Sequence, residues 1–166
     1  MTELDHAKSF RDLLVYQKAK AVSRRIFEIS KGFPKEETYS LTDQIRRASR
    51  SIGAQIAEAW AKRRYERHFV SKLTDADAEQ METQHWIDEA YDCQYLDPNQ
   101  TEELTGELVQ VGRMLNSMID KAHLFCGQSN HIIRDETVEY LADTDDWSLI
   151  TGYQLMTDDR SLMTGY

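Results

Sequence analysis

A chain of 166 residues, 40% hydrophobic and 30% charged, has room for one domain with a full core and little room for a second of comparable size. No apolar run approaches the roughly 20 residues of a membrane span, and the polar opening MTELDHAKSF lacks the basic-then-apolar form of a secretion signal, so a cytoplasmic protein without membrane contact is expected. The net charge of -9 argues at first sight against a nucleic-acid partner, yet it is unevenly spread: residues 1–70 carry +6 and residues 71–166 carry -15.

In chain order, Phe10 to Lys31 reads as a first helix. Val15, Ala19, Val22, Ile26 and Ile29 recur at steps of four and three, and Phe10, Leu13 and Leu14 widen the apolar face. Gly32 as a C-cap and Pro34 as a barrier then close it.

The next helix, Leu41 to Trp60, organises the rest. Leu41, Ile45, Ala48, Ile52, Ile56 and Ala59 form one buried stripe, with Arg46, Arg47 and Arg50 off it. A third strip, Gly53, Ala54, Ala57 and Ala61, carries almost no side chain, so that another backbone can approach it; this is the expected oligomer interface. Lys62, Arg63, Arg64 and Arg67 then crowd into six residues, where the helix either breaks or runs on.

A third helix follows with Phe69, Leu73, Ala76, Gln80, Thr83, Ile87 and Ala90 at heptad spacing, two of them polar intruders. Asp97-Pro98-Asn99 supplies a cap and a tolerated first-turn proline. Leu104, Leu108, Val111, Leu115, Met118, Ala122 and Phe125 then continue as one fourth helix up to Gly127. Four helices with short joints predict an all-α fold, an antiparallel up-down-up-down four-helix bundle over residues 1–126 with a C-terminal extension over 127–166.

That acidic extension contains a duplicated decapeptide. TDDWSLITGY (144–153) returns as TDDRSLMTGY (157–166), identical at eight of ten positions. Trp147, Leu149, Tyr153, Leu162 and Tyr166 are its candidate anchors, in a pair of linear binding motifs or in a tail that docks on its own bundle or a neighbouring subunit.

LTDQIRRASRSIGAQIAEAW resembles the four helix bundle protein family, which includes the 23S ribosomal RNA intervening-sequence protein and the accessory variability determinant of diversity-generating retroelements. Leu41, Thr42, Gln44, Ile45, Arg46, Arg47, Ala48, Ser51, Ile52, Ile56, Ala57 and Glu58 carry the match. Gly53, Gln55 and Ala59 stand where the family has proline, asparagine and glycine. Phe10, Asp12, Leu13, Tyr16, Gln17, Lys18 and Ala19 match its first helix, and Glu79, Glu82, Thr83, Ala90, Tyr95 and Leu96 its third, with Gln94 in place of a glycine. The resemblance implies a homopentamer associated with structured RNA or with a reverse transcriptase.

Little else points to chemistry. Glu82-x-x-His85 and Asp120-x-x-His123 imitate a bundle metal signature, but lie off the core positions of their helices, so no metal or other cofactor is expected. No nucleophile elbow or glycine-rich phosphate loop is present, so no enzyme is expected. His6, His68 and His131 are scattered singly, Trp60, Trp86 and Trp147 read as packing anchors, and Cys93 and Cys126 read as reduced, packed thiols. Arg46, Arg50, Lys62, Arg63, Arg64 and Arg67 remain as the candidate nucleic-acid contacts. The rival reading is a protein-interaction adaptor or scaffold, without direct nucleic-acid binding, whose tail motif recruits a partner.

Overall fold

The computed structural model describes residues 7–126, and among these every regular element is helical. Four long helices dominate: α1 (Leu14–Ile29), α2 (Leu41–Lys62), α3 (Glu66–Asp92) and α4 (Pro98–Asp120), followed by the single turn α5 (Ala122–Phe125). Each long helix packs on the next along the chain, and α1 also packs on α4, so the four close a ring of neighbours around one core. The duplicated motif, with Trp147, Leu149, Tyr153, Leu162 and Tyr166, lies outside the described residues, as do Gly127, His6 and His131.

The core follows the heptad spacing. All six stripe residues of α2 are buried, and so are Phe69, Leu73, Ala76, Ile87 and Ala90 of α3 and Leu104, Leu108, Val111, Leu115 and Met118 of α4. Each fully buried isoleucine or leucine contributes about 1.5–3 kcal/mol relative to exposure.

The two polar intruders of α3 are buried as well, and both find partners. Thr83 Oγ1 donates to the Glu79 carbonyl at 2.7 Å. Gln80, 3% exposed, donates through Nε2 to Asp77 Oδ1 at 3.3 Å and accepts from Gln84. Asn116 of α4 joins this layer, donating to the Gly112 carbonyl at 2.9 Å and to Asp77 Oδ2 at 3.5 Å. A Cβ at Gly112 would lie 2.8 Å from Gln80 Nε2, so any larger residue there forces the Gln80 amide to shift.

The ends depart from the sequence reading in four places. The first helix does not start at Phe10: Ser9 and Asp12 form a capping box around a 3-10 turn, Phe10–Asp12, and Leu13 is extended (φ -70°, ψ 123°) before α1 begins. The break turns Leu13 inward and leaves Leu14 71% exposed, so Leu14 does not widen the apolar face. Gly32 is not a left-handed C-cap; α1 tightens instead into a 3-10 turn, Ser30–Gly32. The fourth helix breaks at Lys121 (φ -109°, ψ 25°), which sets Ala122 and Phe125 on α5.

Two further ends are closed by local hydrogen bonds, the first as expected from Asp97-Pro98. Asp97 accepts from the Gln100 N–H at 2.8 Å while Gln100 reaches back to the Asp97 N–H at 3.1 Å, a full capping box with Pro98 in the first turn. At the end of α3, Gln94 takes φ 62°, with its N–H on the Tyr91 carbonyl and the Tyr95 N–H on the Ala90 carbonyl, both at 2.8 Å. That is a Schellman turn, and its left-handed position is one that favours glycine.

Candidate nucleic-acid interface

The six candidate cations fall into two groups at opposite ends of α2. Arg46 and Arg50 sit one turn apart near its start. Lys62, Arg63, Arg64 and Arg67 surround the three-residue link to α3. Sixteen residues separate Arg46 from Lys62, about 24 Å along the helix axis. The structure therefore brings the residues of each group together and keeps the two groups apart.

At the first group, α1 supplies a ring. Phe27, half-buried, has the Arg46 guanidinium carbon 4.9 Å from its ring centroid, that of Arg50 at 5.4 Å and Lys31 Nζ at 4.8 Å. Arg46 Nε also donates to the buried Ser30 hydroxyl at 2.7 Å. Lys31 is paired with Glu28 at 2.6 Å, and Arg47 with Asp43 at 3.5 Å. Among the described residues, neither Arg46 nor Arg50 has a carboxylate within salt-bridge distance. Phe27, Ser30 and Lys31 were not legible as site residues, since only the packing of α1 on α2 brings them to Arg46.

At the second group, Arg63 is turned back on its own helix. Its guanidinium lies 4.1 Å from the Trp60 ring and Nη1 donates to the Trp60 carbonyl at 2.6 Å, closing a carbonyl of the last turn where the helix dipole favours a cation. Lys62, Arg64 and Arg67 are exposed. Glu58 reaches across to Lys72 of α3 at 3.2 Å. Lys72 also holds Asp75 at 3.0 Å and Gln55 at 3.1 Å, and the two carboxylates, Asp75 first and then Glu58, raise its pKa.

The small-residue strip is partly covered by the chain itself. The Tyr16 ring stands 3.5 Å from where a Gly53 Cβ would be, and Phe10 packs edge-on against Tyr16. Ala57 is half-buried, whereas Ala54 and Ala61 are exposed. A groove of about 240 Å³ runs between Phe10, Tyr16, Arg50, Gly53, Ala54 and Ala57.

The other candidates have local roles. Glu82 accepts from the Trp86 indole at 3.0 Å, and the His85 ring packs against the same indole. Asp120 and His123 are exposed on either side of the Lys121 break. Among the described residues, no group of three or more His, Cys, Asp or Glu side chains is placed to hold a metal ion. Trp60 and Trp86 pack on the core as expected. Cys126 is buried, which pushes its thiol pKa up, but Cys93 is exposed beside the Schellman turn and is not a packed thiol. Among the described residues no helix is long and apolar enough to cross a membrane. Across the α1–α4 seam, Arg25 bridges Glu103 and Glu107, and the Glu103 hydrogen bond leads the rise in its pKa.

The sequence pattern of the 23S rRNA-intervening sequence protein family matches residues 11–117. A crystal structure of a protein of unknown function from the S23 ribosomal protein family of Bacteroides thetaiotaomicron superposes with a TM-score of 0.59 at 28% identity. The match covers 64% of this chain and 95% of that one. Neither is named as an enzyme. No curated protein matches.

Proposed function

Because the chain belongs to the 23S rRNA-intervening sequence protein family, we propose that it is a non-enzymatic cytoplasmic protein that binds RNA through the cations at the two ends of α2. The observation that carries this reading is the cation excess there. Arg46 and Arg50 lack a carboxylate partner among the described residues, and Lys62, Arg63, Arg64 and Arg67 crowd one turn with only Glu66 among them. Six phosphate contacts give a salt slope of about -4 to -5, and such binding strengthens steeply as salt falls.

Gel-shift titration tests it. Arg63→Glu together with Arg64→Glu is expected to weaken binding to all RNA sequences alike and to flatten the salt slope by about 2. Unaltered affinity and slope would overturn the assignment of that turn.

The helices are proposed to run up-down-up-down. Contacts in opposite chain sense support this: along α1, Tyr16 lies against Gly53 while Phe27 and Ser30 lie against Arg46. Phe69 stacks on Phe125 while Asp77 meets Asn116, and Leu13 lies near Met118 while Arg25 meets Glu103.

The assembly is proposed to be a homo-oligomer, a pentamer, which multiplies two modest patches into a strong one. Exposed Leu14 and Leu124 and the small residues Ala54 and Ala61 support an apolar subunit contact. Light scattering that gives a monomer would remove it.

A second reading is favoured by the duplicated decapeptide: an adaptor or scaffold, without direct nucleic-acid binding, whose tail motif recruits a protein partner. Pull-down with the chain ended at Gly127 separates the two readings, since unchanged recovery of partner would remove the adaptor's support.

A further inference from the structure

Three positive side chains from two helices converge on one aromatic ring, and only one of them has an acid. Lys31, Arg46 and Arg50 all lie within 5.4 Å of the Phe27 centroid. They therefore stand within little more than a Debye length of one another, about 8 Å at physiological salt. Glu28 offsets Lys31, and Asp43 is engaged by Arg47. Two guanidinium charges one helical turn apart are left facing each other's field.

The ring makes this tolerable, since the negative face of its quadrupole attracts each cation. The Ser30 hydroxyl fixes Arg46 further by taking its Nε–H. That leaves both Nη groups of Arg46 and all the donors of Arg50 without a hydrogen-bond acceptor among the described residues. Two guanidinium groups gathered at one ring with these donors left over can each meet the oxygens of a phosphate bidentately.

We propose that Phe27, Ser30, Lys31, Arg46 and Arg50 form a phosphate seat that holds a phosphodiester of the RNA backbone between the two guanidinium groups. The inference rests on the RNA reading for the identity of the ligand and names the part of the surface that takes the phosphate. Arg63 at the other end of α2 is engaged with its own helix end and is a weaker claimant. A seat of this kind reads no base, so it supplies affinity and register rather than sequence choice.

The test has two arms. In the first, inorganic pyrophosphate is titrated into the full chain at low salt while the arginine Nε–Hε resonances are followed by NMR. The expected result is a saturable shift of Arg46 and Arg50 together, lost in Arg50→Gln. Shifts spread evenly over all arginines, or confined to Arg63, Arg64 and Arg67, would overturn the seat, and so would a response to poly-glutamate with none to pyrophosphate.

In the second arm, RNA is titrated over a salt series against Arg46→Gln/Arg50→Gln, expected to flatten the slope by about 1.5–2. Arg46→Lys/Arg50→Lys keeps both charges and the fold but loses the forks, and is expected to bind about fivefold more weakly with the slope nearly unchanged. RNA binding that persists with an unchanged slope in the glutamine variant sinks the seat and leaves the RNA reading standing. Saturable pyrophosphate binding in a protein with no RNA affinity does the reverse.

Discussion

Gly112→Ala is expected to destabilise the protein, whereas Gly106→Ala, earlier in the same helix, is expected to stabilise it. Gly106 is exposed within α4, and a Cβ there meets nothing within 4 Å, so alanine recovers the helix propensity that glycine forfeits, about 0.5–1 kcal/mol. Gly112 gains the same propensity, but its Cβ would stand 2.8 Å from Gln80 Nε2, a separation that real Cβ atoms essentially never show. The Gln80 amide must move, and it is buried at 3% exposure with Asp77 and Gln84 as its partners. Leaving one of those groups unsatisfied costs about 1–3 kcal/mol, which is the gap between the variants since the propensity gain cancels, and the net loss at Gly112 is up to about 2 kcal/mol. Urea unfolding followed by circular dichroism at one protein concentration measures it. Equal stabilisation by both alanines would refute the reasoning, since it would mean that the Gln80 amide relaxes freely and the polar layer between α3 and α4 constrains nothing.

Gln94→Gly is expected to stabilise by about 1 kcal/mol, because the Schellman position at φ 62° is strained for any residue with a Cβ; no change in the urea midpoint would contradict that. Glu79 is held above the ordinary carboxylate range, first by burial and then by Glu82 and Asp75. Its ionised form therefore weighs against the folded state, by an amount absent below the unfolded pKa and growing as pH rises through the raised folded value. Glu79→Gln should melt higher than the parent at about pH 7 and lose that advantage near pH 4, and an advantage that is constant with pH would contradict the assignment. Phe69→Ala, which removes a fully buried ring stacked on Phe125, should cost about 3–5 kcal/mol in urea unfolding; a loss under 1 kcal/mol would show that this end of the core is loosely packed.

The core was legible because one signal, apolar residues at steps of four and three, is shared by every helix that buries one face. Even Gln80 and Thr83 were placed correctly by that register alone, although spacing gave no hint that Asp77, Gly112 and Asn116 would satisfy Gln80. The helix ends were harder. Phe10, Leu13 and Leu14 fit a continuing helix as well as a broken one, and the capping box of Ser9 and Asp12, which does announce a start, competes with that spacing. Lys121 carries no breaker at all, so the stop before Ala122 was invisible.

The cation site shows a different gap. Six basic residues near one another in sequence read as one patch, but a straight helix holds Arg46 and Lys62 about 24 Å apart. Phe27, sitting on another helix, gathers Arg46 and Arg50 through a contact that no local pattern encodes. The Gln94 substitution, by contrast, was visible from the family resemblance, and the structure supplies its physical meaning as a left-handed turn.

The most direct test of the account is the affinity of the full chain for a structured RNA measured from about 50 to 200 mM salt. Six phosphate contacts predict a log–log slope of about -4 to -5 and a loss of affinity on the order of a thousandfold across that range. A slope near zero, or no measurable binding at the lowest salt, would contradict the claim that α2 carries an RNA interface.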